Sequence, residues 1–300
     1  MSMEKISFFD QINRNKRNSW ILVAFIFMVI VVFSWVIAQV YDPGFTFIFL
    51  IFGIILSLVY TVGTYQYSDQ IALRSVKAHE ASGERYRHFR NQVEGLALGS
   101  GMPVPRVYVM PSPDINAFAT GKDPEHSVIC VTEGALEKLS DRELEAVLGH
   151  EMTHIRNYDI RFVTLIAVMV GIVSIISEMF LMSMWFGGRN RNKGGGNAIF
   201  LVLGILLAVL APLIVRVVQL AISRRREYMA DAGAVQLART TSGMISALEK
   251  IKANYAGGPK TKVNAAVAPM FLADPVKKRF SNIFNTHPPI DDRIEALRRM

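Results

Sequence analysis

Two uninterrupted apolar segments near the N-terminus constrain this chain more than any other feature. Residues 20–40 are apolar except for Ser34 and Gln39, and residues 45–65 follow after the turn signal "YDPG" at 41–44. Each segment has about 21 residues, which is the length that a helix needs to cross the hydrocarbon core of a bilayer. The first segment is longer than the apolar stretch of a signal peptide, and no small-x-small cleavage site follows it. The pair therefore predicts a retained transmembrane hairpin.

Two more apolar segments lie in the second half of the chain. Residues 162–186 contain one charge, Glu178, and residues 198–215 contain none, with a glycine-rich basic linker at 187–197 between them. Glu178 is either a functional group inside the membrane or a side chain that snorkels from a helix end. Since 51% of the residues are hydrophobic and only 19% are charged, the composition is also typical of a membrane protein.

The net charge of +8 is compatible with a nucleic-acid partner or with the basic flanks of membrane helices. The basic residues stand beside the apolar segments, so we expect the lipid bilayer as a partner and no nucleic acid. The single cysteine, Cys130, excludes an intrachain disulfide and is most simply a small buried apolar side chain.

The remaining sequence has the pattern of a water-soluble domain with helices and a few strands. "SDRE" at 140–143 is a capping box that begins one helix. The other expected helices are 79–98, 223–253 and 290–300, and the expected strands are 106–110, 115–119 and 127–131. The predicted fold class is a mainly α membrane protein, in which transmembrane helices accompany an α+β domain with a small sheet.

The helix after the capping box contains "HEMTH" at 150–154. His150 and His154 are four residues apart, so a helix presents both imidazoles on one face, as a zinc site requires. Glu151 points to the same side and can act as general base toward a water on the metal. The alternative is a surface helix that happens to contain two histidines.

A third ligand is expected in "SRRREYMADAGA" at 223–234. Glu227 could complete the metal site, and Asp231, four residues later, could accept a hydrogen bond from the second nitrogen of a ligand histidine. The small residues of this stretch would allow a close approach to the first helix. The alternative is a solvated face that pairs with the neighbouring arginines. A shared site also requires that the two intervening apolar segments cross the membrane twice or not at all.

Together with "INAFATG" (115–121) and "FNTHPP" (284–289), these stretches resemble the HtpX-type membrane-bound zinc metalloproteases, which are gluzincins related to the CAAX prenyl proteases. The resemblance implies His150, His154 and Glu227 as ligands of one Zn²⁺ per chain and Glu151 as the base. It implies that "INAFATG" is the edge strand along which substrate lies, and that Asn116 and His287 contact the scissile carbonyl or its oxyanion. The alternatives are that Asn116 holds a turn and that His287 caps the chain before two prolines.

The resemblance also implies a function and a location. The function is the cleavage of misfolded or unfolded membrane proteins in quality control linked to stress, and the location is the bacterial inner membrane. The expected parts are a cytoplasmic tail (1–18), a transmembrane hairpin (19–66), the two parts of a gluzincin-like protease domain (67–159 and 223–300), and two further membrane segments (160–222). No feature of the sequence indicates an oligomeric state.

The distribution of basic residues predicts the orientation. The N-terminal tail is basic whereas the turn at 41–44 has no basic residue, so the tail and the protease domain should face the cytoplasm. Arg189, Arg191 and Lys193 in the second linker would then lie on the far side. Either the third and fourth segments do not cross fully, or the first hairpin dominates.

Two rival functions remain. A site-2-type intramembrane protease also uses HExxH, but it needs the motif inside an apolar segment, and here the charged "SDRELEAV" precedes it. A catalytically inactive membrane scaffold or metal sensor would have no need of Glu151.

Overall fold

The computed structural model describes residues 8–41, 44, 46–166, 224–256, 258, 261, 263, 267–273 and 288–300. The third and fourth apolar segments, with Glu178 and the basic linker, therefore lie outside the described residues apart from the beginning of the third, where residues 159–166 are helical. The helices are α1 (Phe8–Tyr41), α2 (Thr46–Gln66), α3 (Ser68–Ser75), α4 (Arg87–Ser100), α5 (Glu133–Lys138), α6 (Asp141–Arg156), α7 (Arg224–Ala238), α8 (Ser242–Tyr255) and α9 (Ile290–Arg298).

The first two helices form the predicted hairpin. Both are long and apolar enough to cross a membrane, with candidate spans at Ile12–Val32 and Thr46–Gly63. Where they pack, the Ser57 hydroxyl of α2 donates to the Phe27 carbonyl of α1 at 3.3 Å. At about 1.5 Å per residue, the 34 residues of α1 make a helix longer than a hydrocarbon core of about 30 Å.

A four-stranded mixed sheet forms the centre of the domain that follows the hairpin. Its strands are β1 (His79–Glu80), β2 (Arg106–Met110), β3 (Ala117–Gly121) and β4 (Ser127–Thr132). Their order is β1-β2-β4-β3; β2 and β4 are parallel and the other two pairs are antiparallel. All three predicted strands are confirmed to within two residues, and β3 is at an edge of the sheet.

Both faces of the sheet are covered, which explains why β4 is a continuous apolar run rather than an alternating one. Ile129 and Val131 face the larger core, which α4, α6, α8 and α9 share. Val128 and Cys130 face a smaller core with Leu73 of α3. Cys130 is a free, buried cysteine, as the sequence suggested.

Two helix predictions were wrong in their limits. His79 and Glu80 form β1 rather than the first turn of a helix, and α4 begins only at Arg87. The expected helix 223–253 is two helices, because the backbone at Arg239 has a left-handed φ of 55° that ends α7.

Candidate metal centre

Helix α6 brings the two predicted histidines together. Its capping box is present at Ser140, and its apolar stripe, which includes Leu148 and Ile155, is buried in the larger core. That packing fixes the rotation of the helix. The Nε2 atoms of His150 and His154 face each other at 3.1 Å, and the ring of His150 is only 1% exposed.

Helix α7 supplies the third side chain. One carboxylate oxygen of Glu227 is 3.7 Å from His150 Nε2, and the other is 3.6 Å from His154 Nε2. The potential ligand atoms of these three residues all lie within 4.8 Å of one another. The structure therefore gathers the three predicted ligands at one point.

Small residues make this approach of α6 and α7 possible. A Cβ added at Gly233 would overlap the side chain of Thr153, and one at Gly149 would be 3.3 Å from the Ala234 backbone. Ala230 and Ala234 are fully buried. The expectation that the small residues of α7 allow close packing is confirmed.

Each histidine has a carboxylate behind it. His150 Nδ1 is 3.0 Å from Asp231 Oδ1, as predicted, and His154 Nδ1 is 2.9 Å from Asp159 Oδ2. Both carboxylates are buried. A carboxylate at Nδ1 selects the tautomer that has its proton on Nδ1 and its lone pair on Nε2.

This arrangement fits a metal ion. With both Nδ1 atoms donating to carboxylates, the two Nε2 atoms face each other, and a shared cation makes that contact favourable: a metal ion, or in its absence a proton on His154, whose pKa is raised to about 9. A tetrahedral zinc ion with ligands at about 2.0–2.1 Å separates them by about 3.3 Å, close to the observed 3.1, 3.6 and 3.7 Å. Two imidazoles and a carboxylate are also a donor set of catalytic zinc sites.

Arg293 of α9 is a part of the site that no sequence pattern indicated. Its Nε and Nη2 donate to the two oxygens of Asp231 at 2.9 and 2.6 Å, and its Nη1 is 3.7 Å from Glu227 Oε2. The side chain is 1% exposed. No spacing in the sequence links it to Asp231, which is 62 residues away.

The protonation equilibria reflect this burial. Burial lowers the pKa of His150 to about 4, although Asp231 opposes the shift. Burial acts in the same direction on His154, but Asp159, Glu227 and Glu151 outweigh it and raise its pKa to about 9. Burial raises the pKa of Glu151 to about 7.

Glu151 connects the histidines with the sheet. It is 2% exposed, and its carboxylate accepts a hydrogen bond from the backbone of Ala119 in β3. The side of β3 away from β4 thus meets the proposed base. Residues 271 and 272 cover the beginning of that side: Phe118, next to Ala119, forms an antiparallel bridge with Phe271, and the Leu272 N–H donates to the Ala117 carbonyl at 2.9 Å.

Asn116 has a holding role in the structure. Its amide nitrogen donates to Tyr255 Oη and to the Ala273 carbonyl, each at 2.8 Å, and its Oδ1 accepts from the backbone N–H groups of Ala117 and Ala273. These bonds agree with the alternative that Asn116 holds a turn. Contact with a scissile carbonyl stays a prediction, and it would require one of these bonds to break. His287, the other predicted partner of the carbonyl, lies outside the described residues.

Comparison with known proteins identifies a family and several relatives. The family described as "Peptidase family M48" matches residues 83–300. A protein named "Protease HtpX homolog" from Dictyoglomus thermophilum is 40% identical over 302 residues, which cover 99% of this chain and 96% of the relative. One of the same name from Limosilactobacillus reuteri is 40% identical over 305 residues, covering 97% and 99%.

Among solved structures, the crystal structure of S. mikatae Ste24p is similar with a TM-score of 0.51 at 19% identity, covering 96% of this chain and 67% of that one. At that identity the likeness concerns the fold alone. The family match and the identities over almost the whole length show that the chain belongs to peptidase family M48.

Proposed function

We propose that this chain is a membrane-anchored zinc endopeptidase. The observation that carries the proposal is the convergence of His150, His154 and Glu227 on one point, with Glu151 beside them. The family makes the chain a metallopeptidase, and the proposal adds the metal, the ligands and the base. One Zn²⁺ per chain would be held by the two Nε2 atoms and the Glu227 carboxylate.

A zinc ion in this position supplies a Lewis acid that lowers the pKa of water toward about 7. Glu151 would take the proton of the attacking water and pass it to the leaving amine nitrogen. Its raised pKa of about 7 suits both steps near neutral pH. Asp231 and Asp159 hold the two imidazoles with Nε2 toward the metal, and Arg293 fixes Asp231 in turn.

The proposed substrates are unfolded or misfolded polypeptides, including membrane proteins. An extended peptide can add to an edge strand through backbone hydrogen bonds, and β3 is the edge strand that lies against Glu151. The proposed setting is quality control at the bacterial inner membrane, with a multi-pass chain whose protease domain faces the cytoplasm. The candidate membrane helices α1 and α2 support the anchoring.

The proposal is tested with Glu151→Gln. This variant should bind zinc with the stoichiometry of the unmodified protein, because Glu151 is not a ligand, and should lose cleavage of a casein-like unfolded substrate. Metal content and proteolysis are measured on the same detergent-purified samples. Persistent cleavage by the variant would refute the enzyme hypothesis, in which Glu151 is the base. No cleavage by either protein would favour the inactive scaffold or metal sensor.

The intramembrane-protease alternative receives no support from α6. Its first turn is charged, and Glu143 there is bound to Lys250 of α8 at 2.7 Å. The buried side chains of α6 belong to the core that it shares with the sheet, α4 and α8.

A further inference from the structure

A polar side chain of the first membrane helix reaches the candidate metal centre. Asn15 of α1 is 2% exposed. Its amide nitrogen donates to the Asn157 carbonyl at 2.9 Å and to Asp159 Oδ1 at 2.6 Å. Carbonyl and carboxylate oxygens only accept, so the chemistry of these partners fixes the orientation of the amide. The contact joins parts of the chain that are 144 residues apart.

Asp159 transmits this contact to a proposed ligand. While Oδ1 accepts from Asn15, Oδ2 lies 2.9 Å from Nδ1 of His154. The opposite nitrogen of that imidazole, Nε2, faces Glu227. Two hydrogen bonds therefore connect α1 with the ring of His154 without a gap.

The surroundings of Asn15 hold the contact in place. The Ser19 hydroxyl, which is fully buried, donates to the Asn15 carbonyl at 2.8 Å. Lys16, the residue after Asn15 along α1, has its Nζ 4.2 Å from the centre of the Tyr158 ring. Tyr158 has a left-handed φ of 58° in the turn that follows α6. A non-glycine residue keeps such a backbone only when its surroundings determine it, and α1 provides those contacts.

A cationic group also approaches the same carboxylate. Arg226 of α7 forms an ion pair with Asp159, with Nη1 at 3.7 Å from Oδ1. Asn15 makes the shorter contact and also binds the adjacent Asn157 carbonyl. It thus fixes both the backbone and the side chain at the turn after α6.

We propose that Asn15 is a positioning residue of the metal centre. By orienting the Asp159 carboxylate it holds the His154 imidazole with Nε2 toward the metal, so that the first membrane helix is a component of the site as well as an anchor. The inference rests on the proposed zinc site and deepens it.

The test compares zinc binding by the full-length protein in detergent, measured by competition with a chromogenic chelator. Asn15→Ala removes the donor, and zinc affinity should fall about 10-fold, the lower end of the range for groups behind metal ligands. Asn15→Asp keeps the shape but sets a carboxylate against Asp159, so it should lose at least as much. If Asn15 only fills space, Asn15→Asp would bind zinc like the unmodified protein, and the proposal would be overturned.

Asn13→Ala is the matched control. Asn13 is in the same turn of α1 but is exposed, so the substitution removes an equivalent amide without touching Asp159. Its zinc affinity should stay unchanged. A loss equal to that of Asn15→Ala would mean that any damage to this turn suffices, and the assigned role would be wrong.

Two further measurements separate positioning from folding. The rise in melting temperature on adding zinc should shrink for Asn15→Ala, and kcat should fall while KM is unchanged, because Asn15 is not placed to touch substrate. Glu227→Ala distinguishes a failure of the proposed metal site from a failure of the role of Asn15. If it keeps normal zinc affinity, the proposed metal site itself fails; if it loses zinc while both Asn15 variants retain it, only the role of Asn15 fails.

Discussion

At the residue scale, the candidate site is a set of groups that hold one another. Each imidazole donates to a carboxylate, and each carboxylate is held from a different part of the chain: Asp231 by Arg293 and Asp159 by Asn15. All of these supporting groups are buried. A buried ion pair that loses one partner leaves an uncompensated charge, so the supports should be sensitive even to conservative changes.

Arg293→Lys tests this sensitivity. An ammonium group cannot bridge both oxygens of Asp231 as the guanidinium does, so we expect weaker zinc binding and a loss of about 1.5–3 kcal/mol in the free energy of unfolding. The control is Arg298→Lys in the same helix, whose exposed pair with Glu249 should contribute less than about 1 kcal/mol. Denaturant titration with and without zinc measures both. Equal stabilities of the two variants would contradict the role of Arg293.

The pH dependence of cleavage should reflect Glu151. Burial raises the pKa of this carboxyl to about 7, and only its ionised form can accept a proton. A bound zinc cation favours the ionised carboxylate and so lowers this pKa somewhat. As pH falls below about 7, kcat/KM should therefore decline, approaching about tenfold per pH unit. The assay needs excess zinc and a metal determination at each pH, because protons also compete for the histidines. A rate that stays constant from about pH 7 down to about pH 5, with zinc bound, would contradict this assignment.

The sequence was sufficient for the groups whose relation is local. His150, Glu151 and His154 are connected by helical spacing, and Asp231 is one turn from Glu227, so both sets could be found by counting residues. Asp159 is only five residues from His154, but it lies beyond the end of α6, where helical spacing no longer applies. Arg293 and Asn15 could not be found by counting at all. Their partners are chosen by tertiary packing, and a single buried Arg or Asn in a sequence has the same appearance as a surface one.

At the element scale, the site depends on how closely α6 and α7 approach. Gly233 faces Thr153, and there is no space for a methyl group between them. The small residues of α7 were recognised in the sequence because they cluster. The limits of α4 and the break at Arg239 were not predicted, although turn-forming residues stand beside both: Ser82 and Gly83 precede α4, and "TTSG" at 240–243 follows Arg239. Helix-forming residues on either side of these short stretches made each place resemble one continuous helix.

Gly233→Ala should separate the two helices. The added Cβ would overlap the Thr153 side chain, so α7 must shift and carry Glu227 away from the histidines. We expect a loss of zinc affinity and of cleavage, together with about 1–3 kcal/mol of destabilisation from overpacking. Gly95→Ala in α4 is the control, because its Cβ would meet nothing within 4 Å. There, alanine should stabilise by up to about 1 kcal/mol. Normal zinc binding by Gly233→Ala would show that the helices can adjust.

At the scale of the whole molecule, the parts of the site come from separate regions of the chain. α1 precedes the domain, α6 is inside it, and α7 and α9 follow the two apolar segments at 162–186 and 198–215. A small sheet and the helical hairpin could be predicted, because turn residues and apolar length mark them. The meeting of α1 with the turn after α6 could not, because it joins residues 142 and 144 positions apart through tertiary packing.

The proposed orientation can be tested by cysteine labelling. Cys130 is buried, and burial raises the pKa of its thiol, so the unmodified protein should not react with a membrane-impermeant maleimide. Gly44→Cys, in the turn between α1 and α2, should be labelled in intact cells. Ser82→Cys, on the exposed surface of the domain, should be labelled only after permeabilisation. The reverse pattern would place the domain outside the cytoplasm.

The contact between Arg293 and Asp231 bears on the biosynthesis of the protein. A ribosome adds Arg293 only after it has translated every apolar segment and all three proposed ligands. Until then Asp231 lacks its bidentate partner, and the His150 ring has only an unanchored carboxylate behind it. A nascent chain, still exposed beside other unfolded polypeptides at the insertion machinery, would thus carry an incomplete centre. Hydrolytic capability would arise only once the membrane portion had been made, which would spare neighbouring nascent proteins.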